Sequence, residues 1–337
     1  MTFALLLVAF GITLALTAVL RGYALHHRLL DVPGQRSSHR QVTPRGGGLA
    51  IVLVTFLGTA YLAVSHTVAP DVWAVLGPAF LVAWVGWRDD HSHVSARYRF
   101  SVHGACSALM VFLLWPLELS LVGFTLPGMM LAVLLTLWLA WSINLFNFMD
   151  GINGIASIEA ASVLGNMALL MFLSGQPVHV WFFFALVAAC SLGFLVWNFP
   201  RARIFMGDVG SGFLGSLIGG LSILALGQAE VYFWALLILY GVFVADSTVT
   251  LIRRALHGEK VYLAHRSHAY QHTAQRLGSH TPVTLAVLAI NLLWLLPWAW
   301  LVVSGLFSGF LALLMAYAPI VALVWRLGAG RRSQIAS

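Results

Sequence analysis

The chain has 337 residues, of which 60% are hydrophobic and only 9% are charged, whereas about a quarter of the residues in an ordinary soluble domain are charged. This composition, with a mean hydropathy of +0.90, excludes a disordered chain and indicates a protein whose main solvent is lipid. The two cysteines, Cys106 and Cys190, both lie in apolar stretches, which excludes a framework of disulfide bonds.

Long apolar stretches alternate with short polar ones along the whole chain. Because a helix needs about 20 residues to cross a bilayer, they predict an all-α polytopic membrane bundle of eleven spanning helices, or ten if the second and third stretches form one span. The first stretch lacks the basic start of a removable signal peptide, and we expect residues 1–337 to form a single domain. The predicted spans are 3–20, 46–65, 71–87, 100–115, 128–147, 156–173, 179–199, 212–227, 231–252, 282–303 and 309–325.

The basic residues predict the orientation of the bundle. All 18 lysines and arginines fall in the C-terminal tail or in every second loop, beginning with the loop after the first span. Since lysine and arginine accumulate in short cytoplasmic loops, the N-terminus is expected in the periplasm and the C-terminus in the cytoplasm. The net charge of +7 is therefore an orientation signal and no argument for a nucleic-acid partner.

Polar groups suited to chemistry gather in these inner loops, near residues 21–45, 88–99, 147–155, 200–211 and 253–281. The first loop reads DVPGQRSSHRQVTPRGGG and places Arg36 and His39 ahead of three glycines. Arginine and histidine around glycine-rich turns suit the recognition of an oxyanion, although the charge rule for inner loops explains them as well.

Two adjacent acids, Asp89 and Asp90, lie just after the third predicted span. Arg97 and Arg99 follow a few residues later. Adjacent carboxylates repel each other and stay ionised where a cation or basic side chains compensate them. A divalent metal ion or a phosphate substrate would use both signs of charge. A snorkelling loop at the membrane interface is the alternative.

Four amide or carboxylate side chains recur every three residues at the end of the fifth predicted span: Asn144, Asn147, Asp150 and Asn153. Neighbours in this series share a helix face, and such groups are costly at the mouth of an apolar helix unless they bind something. A helix cap explains one or two of them and leaves the others for a ligand.

The last two inner loops add another acid and a histidine cluster. Asp208 lies between glycines just ahead of the eighth span, where a carboxylate can bind a hard cation and free backbone N–H groups can meet phosphate oxygens. Many such turns are simple N-caps. His265, Arg266 and His268 suit an oxyanion better than structural zinc, because no cysteines accompany them.

The chain resembles the polyprenyl-phosphate N-acetylhexosamine-1-phosphate transferases of glycosyltransferase family 4, in particular the branch that initiates O-antigen synthesis. The resemblance rests on the stretches RSSHRQVTPRGGG, DDHSH, NLFNFMDGING, FMGDVGSG and HRSHAYQ, in that order. It implies a Mg²⁺-dependent enzyme, with Mn²⁺ as an expected substitute, that transfers a sugar 1-phosphate from a UDP-N-acetylhexosamine to undecaprenyl phosphate and releases UMP. It further implies a multi-pass protein of the bacterial inner membrane, embedded in the lipid bilayer, with a cytoplasmic active site and a homodimer as a possible assembly.

The resemblance also implies roles for individual residues. Asp208 and Asn147 would bind the metal ion, Asn153 would hold the uracil, and Arg97 and Arg99 would receive the lipid phosphate. The expected catalytic acids are Asp89, Asp90 and Asp150. The expected substrate-binding residues are Asn144, Asn153, Arg36, His39, Arg97, Arg99, His265, Arg266 and His268.

Two departures from the family pattern bear on the donor sugar. His93 stands where some relatives carry a third acid, and the last motif, HRSH, lacks the triple-histidine run of the phospho-N-acetylmuramoyl-pentapeptide transferases, which disfavours that branch. HRSH looks more like the motif of enzymes that use UDP-N-acetylfucosamine or UDP-N-acetylquinovosamine, and UDP-N-acetylglucosamine is a third expected donor.

A transporter is the alternative from another class, since intramembrane aspartate and asparagine side chains can also mark a solute path. Glu159 and Asp246, each within or at the edge of a span, can pair with a neighbouring helix and are secondary candidates for the site. Polar groups gathered at one face, without a matched pair of broken helices, argue against it. A purely structural membrane scaffold has the least support, because it gives no reason for five polar clusters.

Overall fold

The protein is represented by a computed structural model that describes residues 2–34, 41–64, 68–92, 94–121, 123–260 and 265–331. Fourteen α-helices lie in this part of the chain: α1 Thr2–His26, α2 Leu49–Val64, α3 Val72–His91, α4 Ala96–Leu113, α5 Gly128–Met149, α6 Ile155–Leu173, α7 Val178–Asn198, α8 Gly207–Gln228, α9 Glu230–Leu239, α10 Gly241–Leu256, α11 Ala269–Leu277, α12 Thr281–Ile290, α13 Leu296–Val303 and α14 Gly309–Leu327. A π-helical segment, Asn291–Leu295, joins α12 to α13. Two short antiparallel hairpins pair β1 Leu30–Asp31 with β2 Thr43–Pro44 and β3 Ser120–Leu121 with β4 Phe124–Thr125.

Most of these helices are long and apolar enough to cross a membrane. Within the described ranges, seven spans qualify by length and composition: α1, α5, α6, α7, α8, the run from α12 through α13, and α14; α9 and α10 together form an eighth that is bent by 66°. The other predicted spans are also helices, but α2 has only 16 residues, and α3 and α4 carry charged residues where they adjoin. The protein is therefore an all-α polytopic membrane protein, while the count of eleven spans and the sides of the two termini stay predictions.

The outer surface of the bundle is apolar. Leu7 on α1, Leu137 on α5 and Leu293 in the π-helical segment are 73%, 61% and 78% exposed. Soluble monomers rarely expose wide apolar patches, so these side chains are suited to contact lipid tails.

Helix α8 lies at the centre of the bundle and packs against α3 and α5. Its sequence is rich in glycine and serine, small residues that let helix backbones approach each other closely. The Ser142 hydroxyl of α5 donates to the Gly215 carbonyl of α8 at 2.7 Å, and a Cβ added at Gly215 would fall 2.6 Å from the Ser142 carbonyl oxygen. This contact sets the start of α8 beside the end of α5, where two of the predicted polar clusters lie.

The ninth predicted span departs from a straight helix. Its two parts, α9 and α10, meet at Tyr240 and Gly241 with a bend of 66°. A Cβ added at Gly241 would fall 2.9 Å from the Tyr317 ring of α14, so the bend lies in a close contact between helices. Past the bend, α10 carries Asp246 to the start of α11.

Glu159, one of the two intramembrane acids, pairs with a neighbouring helix. Both Glu159 on α6 and Asn291 at the start of the π-helical segment are fully buried. The Asn291 amide donates to Glu159 Oε2 and to the Ser162 hydroxyl, each at 2.7 Å. These hydrogen bonds at one carboxyl oxygen give Glu159 a structural role as a link between α6 and the π-helical segment.

Candidate active site

A cavity of about 310 Å³ lies where all five predicted inner loops meet. We call it the acidic cavity, because four aspartates of the inner loops share its wall: Asp31, Asp90, Asp150 and Asp208. Arg45 from the first loop and Gln271 from the last also line it. The loops that the sequence spreads over more than two hundred residues therefore form one site.

Backbone pairing draws two of these loops together. The N–H groups of Gly47 and Gly48 donate to the carbonyls of Phe205 and Met206, each at 2.9 Å, and the Phe205 N–H donates to the Pro44 carbonyl at 2.8 Å. We call residues 44–48 the glycine strap. A Cβ added at Gly48 would overlap the backbone of Gly210, so only glycine allows the strap to lie this close to the start of α8.

Asp208, in the first turn of α8, is held from two sides. Asn147 at the end of α5 donates to its Oδ1 at 2.8 Å, and Arg99 contacts its Oδ2 at 2.6 Å. The same Arg99 nitrogen lies 2.7 Å from Asp89 Oδ2. One guanidinium thus bridges two carboxylates from different loops, which compensates their mutual repulsion.

Asp90 holds the beginning of α8. Its two carboxyl oxygens accept the backbone N–H groups of Asp208 and Val209, each at 3.2 Å. Gly207 turns the chain with φ +76°, and a Cβ there would overlap the Asp90 carboxyl group. Asp90 is buried, so it acts both as a cap on α8 and as part of the cavity wall.

Asp150 lies directly after the last residue of α5. Burial, together with the nearby Asp208 and Asp90 carboxylates, raises the pKa of Asp150 well above its ordinary range. A carboxyl group with a raised pKa can exchange a proton closer to neutral pH than an exposed aspartate can.

A second cavity, of about 920 Å³, adjoins the acidic cavity. The two share Asn153, Phe205 and His280 in their walls, and Arg201 and Arg266 line the larger one. Known ligand sites of several hundred Å³ or more accommodate molecules of drug size, so the larger cavity has room for a nucleotide or a sugar. We call it the outer cavity.

The last loop is anchored by Asp246 of α10. Its carboxyl oxygens accept the backbone N–H groups of Ala269 and Tyr270 at 2.9 and 3.0 Å and the Thr250 hydroxyl at 3.1 Å. The His268 ring nitrogen Nδ1 lies 3.4 Å from the same carboxyl group. Asp246, the second intramembrane acid, therefore also pairs with a neighbouring element, the start of α11.

Comparisons with known proteins identify the family of the chain. The family described as glycosyl transferase family 4 matches residues 72–226. The "Probable undecaprenyl-phosphate N-acetylglucosaminyl 1-phosphate transferase" of Bacillus subtilis (strain 168) is 32% identical over 82% of this chain and 78% of the relative. The chain belongs to the polyprenyl-phosphate N-acetylhexosamine-1-phosphate transferases of glycosyl transferase family 4.

Further relatives span more than one branch of this family. The decaprenyl-phosphate N-acetylglucosaminephosphotransferase of Mycolicibacterium smegmatis is 29% identical, and the match covers 93% of this chain and 84% of the relative. A phospho-N-acetylmuramoyl-pentapeptide-transferase of Levilactobacillus brevis is 26% identical over 78% of this chain and 85% of the relative. The resemblance read from the five sequence motifs is confirmed at the level of the family.

The predicted site residues of this family member come together to different degrees. Arg99 is joined to the acidic cavity by its ion pair with Asp208, and Asp89 is joined to it through its ion pair with Arg99. Arg266 lines the outer cavity. Asn153 donates to the Pro200 carbonyl at 3.1 Å and lies in the wall of both cavities. The predicted residues that line the acidic cavity are Asp90, Asn147, Asp150, Asn153 and Asp208.

Other predicted residues lie outside the walls of the two cavities. Asn144 faces α4 one turn before Asn147, with its amide on the Ala140 carbonyl at 2.6 Å, and Arg97 is exposed. The His265 and His268 rings stack at 5.0 Å beside Phe148. Burial, with His268 and Arg254 nearby, lowers the pKa of His265 to about 3, so its ring is neutral at pH 7. The predicted residues Arg36 and His39 lie outside the described residues.

The structure adds residues to which the sequence motifs assigned no role. Arg45 and Gln271 line the acidic cavity, and His280 lies between the two cavities. Arg45 was visible in the PRGGG run, but the charge rule for inner loops explained it equally well. Only the pairing of the glycine strap with the loop before α8 shows that Arg45 faces the acids.

The donor set of the acidic cavity suits a hard cation. Among the described residues, no group of three histidine, cysteine, aspartate or glutamate side chains could hold a metal ion by itself. Mg²⁺ is commonly bound through one or two carboxylates, with substrate phosphates and waters completing its six oxygen ligands. Asp208, with the Asn147 amide beside it, fits that pattern of an incomplete protein site.

Proposed function

We propose that this protein transfers an N-acetylhexosamine 1-phosphate from a UDP-linked donor to undecaprenyl phosphate and releases UMP, as the first membrane step of O-antigen or related cell-surface polysaccharide synthesis. The observation that carries the proposal is the meeting of the acids Asp90, Asp150 and Asp208 with Asn147 in one cavity that adjoins a second, larger one. Family membership and the names of the relatives from Bacillus subtilis and Mycolicibacterium smegmatis support a polyprenyl phosphate as the acceptor.

The same two names favour N-acetylglucosamine as the transferred sugar, and the HRSH motif keeps UDP-N-acetylfucosamine and UDP-N-acetylquinovosamine as further donors. The placement of every lysine and arginine in alternate loops supports a site on the cytoplasmic side of a bacterial inner membrane. There a soluble nucleotide sugar and a membrane-bound lipid phosphate can reach the same cavity.

Asp208 and Asn147 are the residues proposed to hold Mg²⁺, for which Mn²⁺ is an expected substitute. When bound, the ion neutralises the charge that develops on the diphosphate as it is cleaved. Asp90 fixes the first turn of α8 and thereby the position of Asp208. Arg99, between Asp89 and Asp208, places a positive charge where an approaching phosphate is otherwise repelled by the acids.

The overall exchange is balanced in bonds and protons. An oxygen of the lipid phosphate bonds to the β-phosphorus of the donor, and the bond from that phosphorus to the oxygen of UMP breaks. Asp150, with its raised pKa, is suited to take a proton from the lipid phosphate before attack and to pass it to the phosphate of the departing UMP, which leaves Asp150 ionised again.

A UMP-release assay tests the proposal. Purified full-length protein is supplied with Mg²⁺, undecaprenyl phosphate and a panel of UDP-N-acetylhexosamines. At least one donor is expected to give UMP, and Asp208→Ala is expected to lower the rate by about a hundredfold or more, as for the loss of a group that stabilises transition-state charge. Asp71→Ala is the matched control, because Asp71 is exposed before α3 and its side chain makes no cap hydrogen bond.

Absence of UMP with every donor, together with solute uptake into proteoliposomes, would replace the enzyme with the transporter alternative. Equal rates for wild type and Asp208→Ala would remove Asp208 from the proposed metal site.

A further inference from the structure

Arg45 occupies a defined place in the acidic cavity. Its backbone N–H donates to the Leu29 carbonyl at 3.1 Å, and the glycine strap that follows it is hydrogen-bonded to the loop before α8. Its side chain lines the cavity together with Asp90, Asp150 and Asp208. The backbone around Arg45 is thus held on both sides, and the guanidinium group is presented to a preformed cavity.

The Arg45 guanidinium group lacks a protein partner at one of its buried donors. Within the described residues, Nε of Arg45 is shielded from solvent and makes no hydrogen bond. Buried polar atoms are usually hydrogen-bonded, so an unpaired donor beside a polar cavity is available to a ligand or to an ordered water. The nearby acid Asp208 is already engaged by Asn147 and Arg99, and Asp90 accepts two backbone N–H groups.

We propose that Arg45 is a phosphate-binding residue of this site, whose guanidinium group donates to a phosphate oxygen of the donor's diphosphate. The inference rests on the proposed function and assigns a role to a residue that the family motifs left without one. Arginine presents a planar set of N–H donors that matches two oxygens of one phosphate group.

The position of Arg45 favours the donor over the lipid as the source of this phosphate. Asn153 and Phe205 share the acidic cavity with Arg45 and also line the outer cavity, which is large enough for a nucleotide. A diphosphate that connects a nucleoside in the outer cavity to the acids has to pass these shared walls. Arg99, in contrast, approaches Asp208 from α4.

A purely structural role is the competing explanation, in which Arg45 only balances the charge of Asp90. Loss of this charge compensation would lower thermal stability and weaken the binding of every ligand alike. Loss of a phosphate-binding residue would instead weaken the binding of ligands that carry phosphate at this position more than the binding of ligands without it.

The test uses purified full-length protein in nanodiscs with Mg²⁺ and measures the binding of UDP, of uridine and of undecaprenyl phosphate to wild type, Arg45→Gln and Arg45→Lys. Arg326→Gln serves as the control, because Arg326 is exposed at the end of α14. We expect Arg45→Gln to weaken UDP binding by about tenfold to a hundredfold, as for the loss of a charge-assisted hydrogen bond, with uridine and undecaprenyl phosphate changed less than about twofold. Arg45→Lys keeps the charge without the fork of donors, so we expect a smaller loss, of about threefold to tenfold.

Unchanged UDP binding in both Arg45 variants, with UMP still released by wild type, overturns the role of Arg45 and leaves the proposed function intact. Weaker undecaprenyl phosphate binding with UDP unchanged overturns the assignment to the donor. Equal losses for UDP and uridine, with a lower melting temperature, establish the structural explanation instead. If Arg45→Gln fails to fold, Arg45→Lys decides by the same measurements. A wild-type protein that binds no UDP and releases no UMP contradicts the proposed function itself.

Discussion

Helices α8 and α11 both begin at the candidate active site, and each start is held by a carboxyl group from another helix. Asp90 of α3 accepts the first N–H groups of α8, each at 3.2 Å. Asp246 of α10 accepts the first N–H groups of α11 at 2.9 and 3.0 Å. In both cases a negative group lies at the positive end of a helix dipole and satisfies backbone donors that the helix cannot.

The two starts differ in what else surrounds the carboxyl group. Asp246 also accepts the Thr250 hydroxyl and lies beside His268, and its side chain is only 3% exposed. Asp90 is buried as well but lines the acidic cavity. The same capping arrangement therefore serves as an internal tie in one helix and as part of the candidate active site in the other. The adjoining cavity, and not the residue type, makes the difference.

Asp246→Ala is expected to have the largest effect on stability. It leaves two backbone N–H groups and a hydroxyl buried without an acceptor, which costs about 3 kcal/mol or more. The measurement is the thermal unfolding temperature of the purified protein in detergent. Ser95→Ala is the control, because Ser95 caps α4 at the surface with one hydrogen bond of 3.4 Å, worth about 0.5 kcal/mol. Equal unfolding temperatures for the two variants would contradict the role of Asp246 as an internal tie.

Asp90→Asn sharpens the comparison, because we expect it to cost more activity than stability. An amide still accepts one of the two α8 N–H groups, so the loss of stability should be about 1 kcal/mol. The rate of UMP release should fall by about tenfold to a hundredfold, since the Asp90 carboxylate no longer fixes the first turn of α8 that carries Asp208. Asp246→Asn is the matched variant, and it should lose more stability than activity. If both variants lose rate and stability in the same proportion, the distinction between the starts of α8 and α11 is removed.

Asp90→Asn should also move the pH dependence of the reaction. The Asp90 carboxylate is one of the groups that raise the pKa of Asp150, so its removal lowers that pKa. Because Asp150 has to be ionised to accept a proton, the acid limb of the pH–rate profile should shift to lower pH. The measurement is UMP release under kcat conditions from pH 5 to 9. A shift to higher pH, or none, argues against Asp150 as the proton acceptor.

The smallest expected effect concerns Arg99, which contacts Asp208 in the first turn of α8 and has no counterpart at α11 among the described residues. Replacing Arg99 with Gln removes a cation that competes for the Asp208 carboxylate. Mg²⁺ binding without substrate should tighten by about threefold to tenfold, as for the loss of a partly exposed ion pair. The readout is the rise in unfolding temperature with Mg²⁺ concentration. Weaker Mg²⁺ binding in this variant would contradict the proposed place of the ion at Asp208.

The course of the helices follows from the sequence to a large extent, because each predicted apolar stretch coincides with a helix or with two joined helices. The bend at Tyr240 and Gly241 was absent from the prediction. Residues 231–252 form one apolar run, and hydropathy does not show that Gly241 meets Tyr317 of α14. The π-helical segment at Asn291 likewise depends on contacts with α6 that only the folded chain brings about.

The candidate site was predictable at positions where the neighbouring sequence alone shows that burying a polar side chain costs free energy. Asn147, Asp150 and Asp208 are polar groups at the mouths of apolar helices, so they signal a site without any knowledge of the fold. Arg45 carries no such signal, because an arginine in an inner loop is ordinary. Its place among the acids depends on backbone hydrogen bonds of the glycine strap, and no pattern of side chains in the sequence predicts these bonds.

Among the described residues, the two adjoining cavities share three wall residues, Asn153, Phe205 and His280. The acids and the walls of the outer cavity are therefore largely separate sets of side chains. On the proposed function these sets can change separately in evolution, one keeping the reaction while the other adapts to the nucleotide of the donor. For engineering, the residues that line only the outer cavity are the positions at which exchange with the residues of a relative should, on the proposed function, alter nucleotide binding while the acids stay in place.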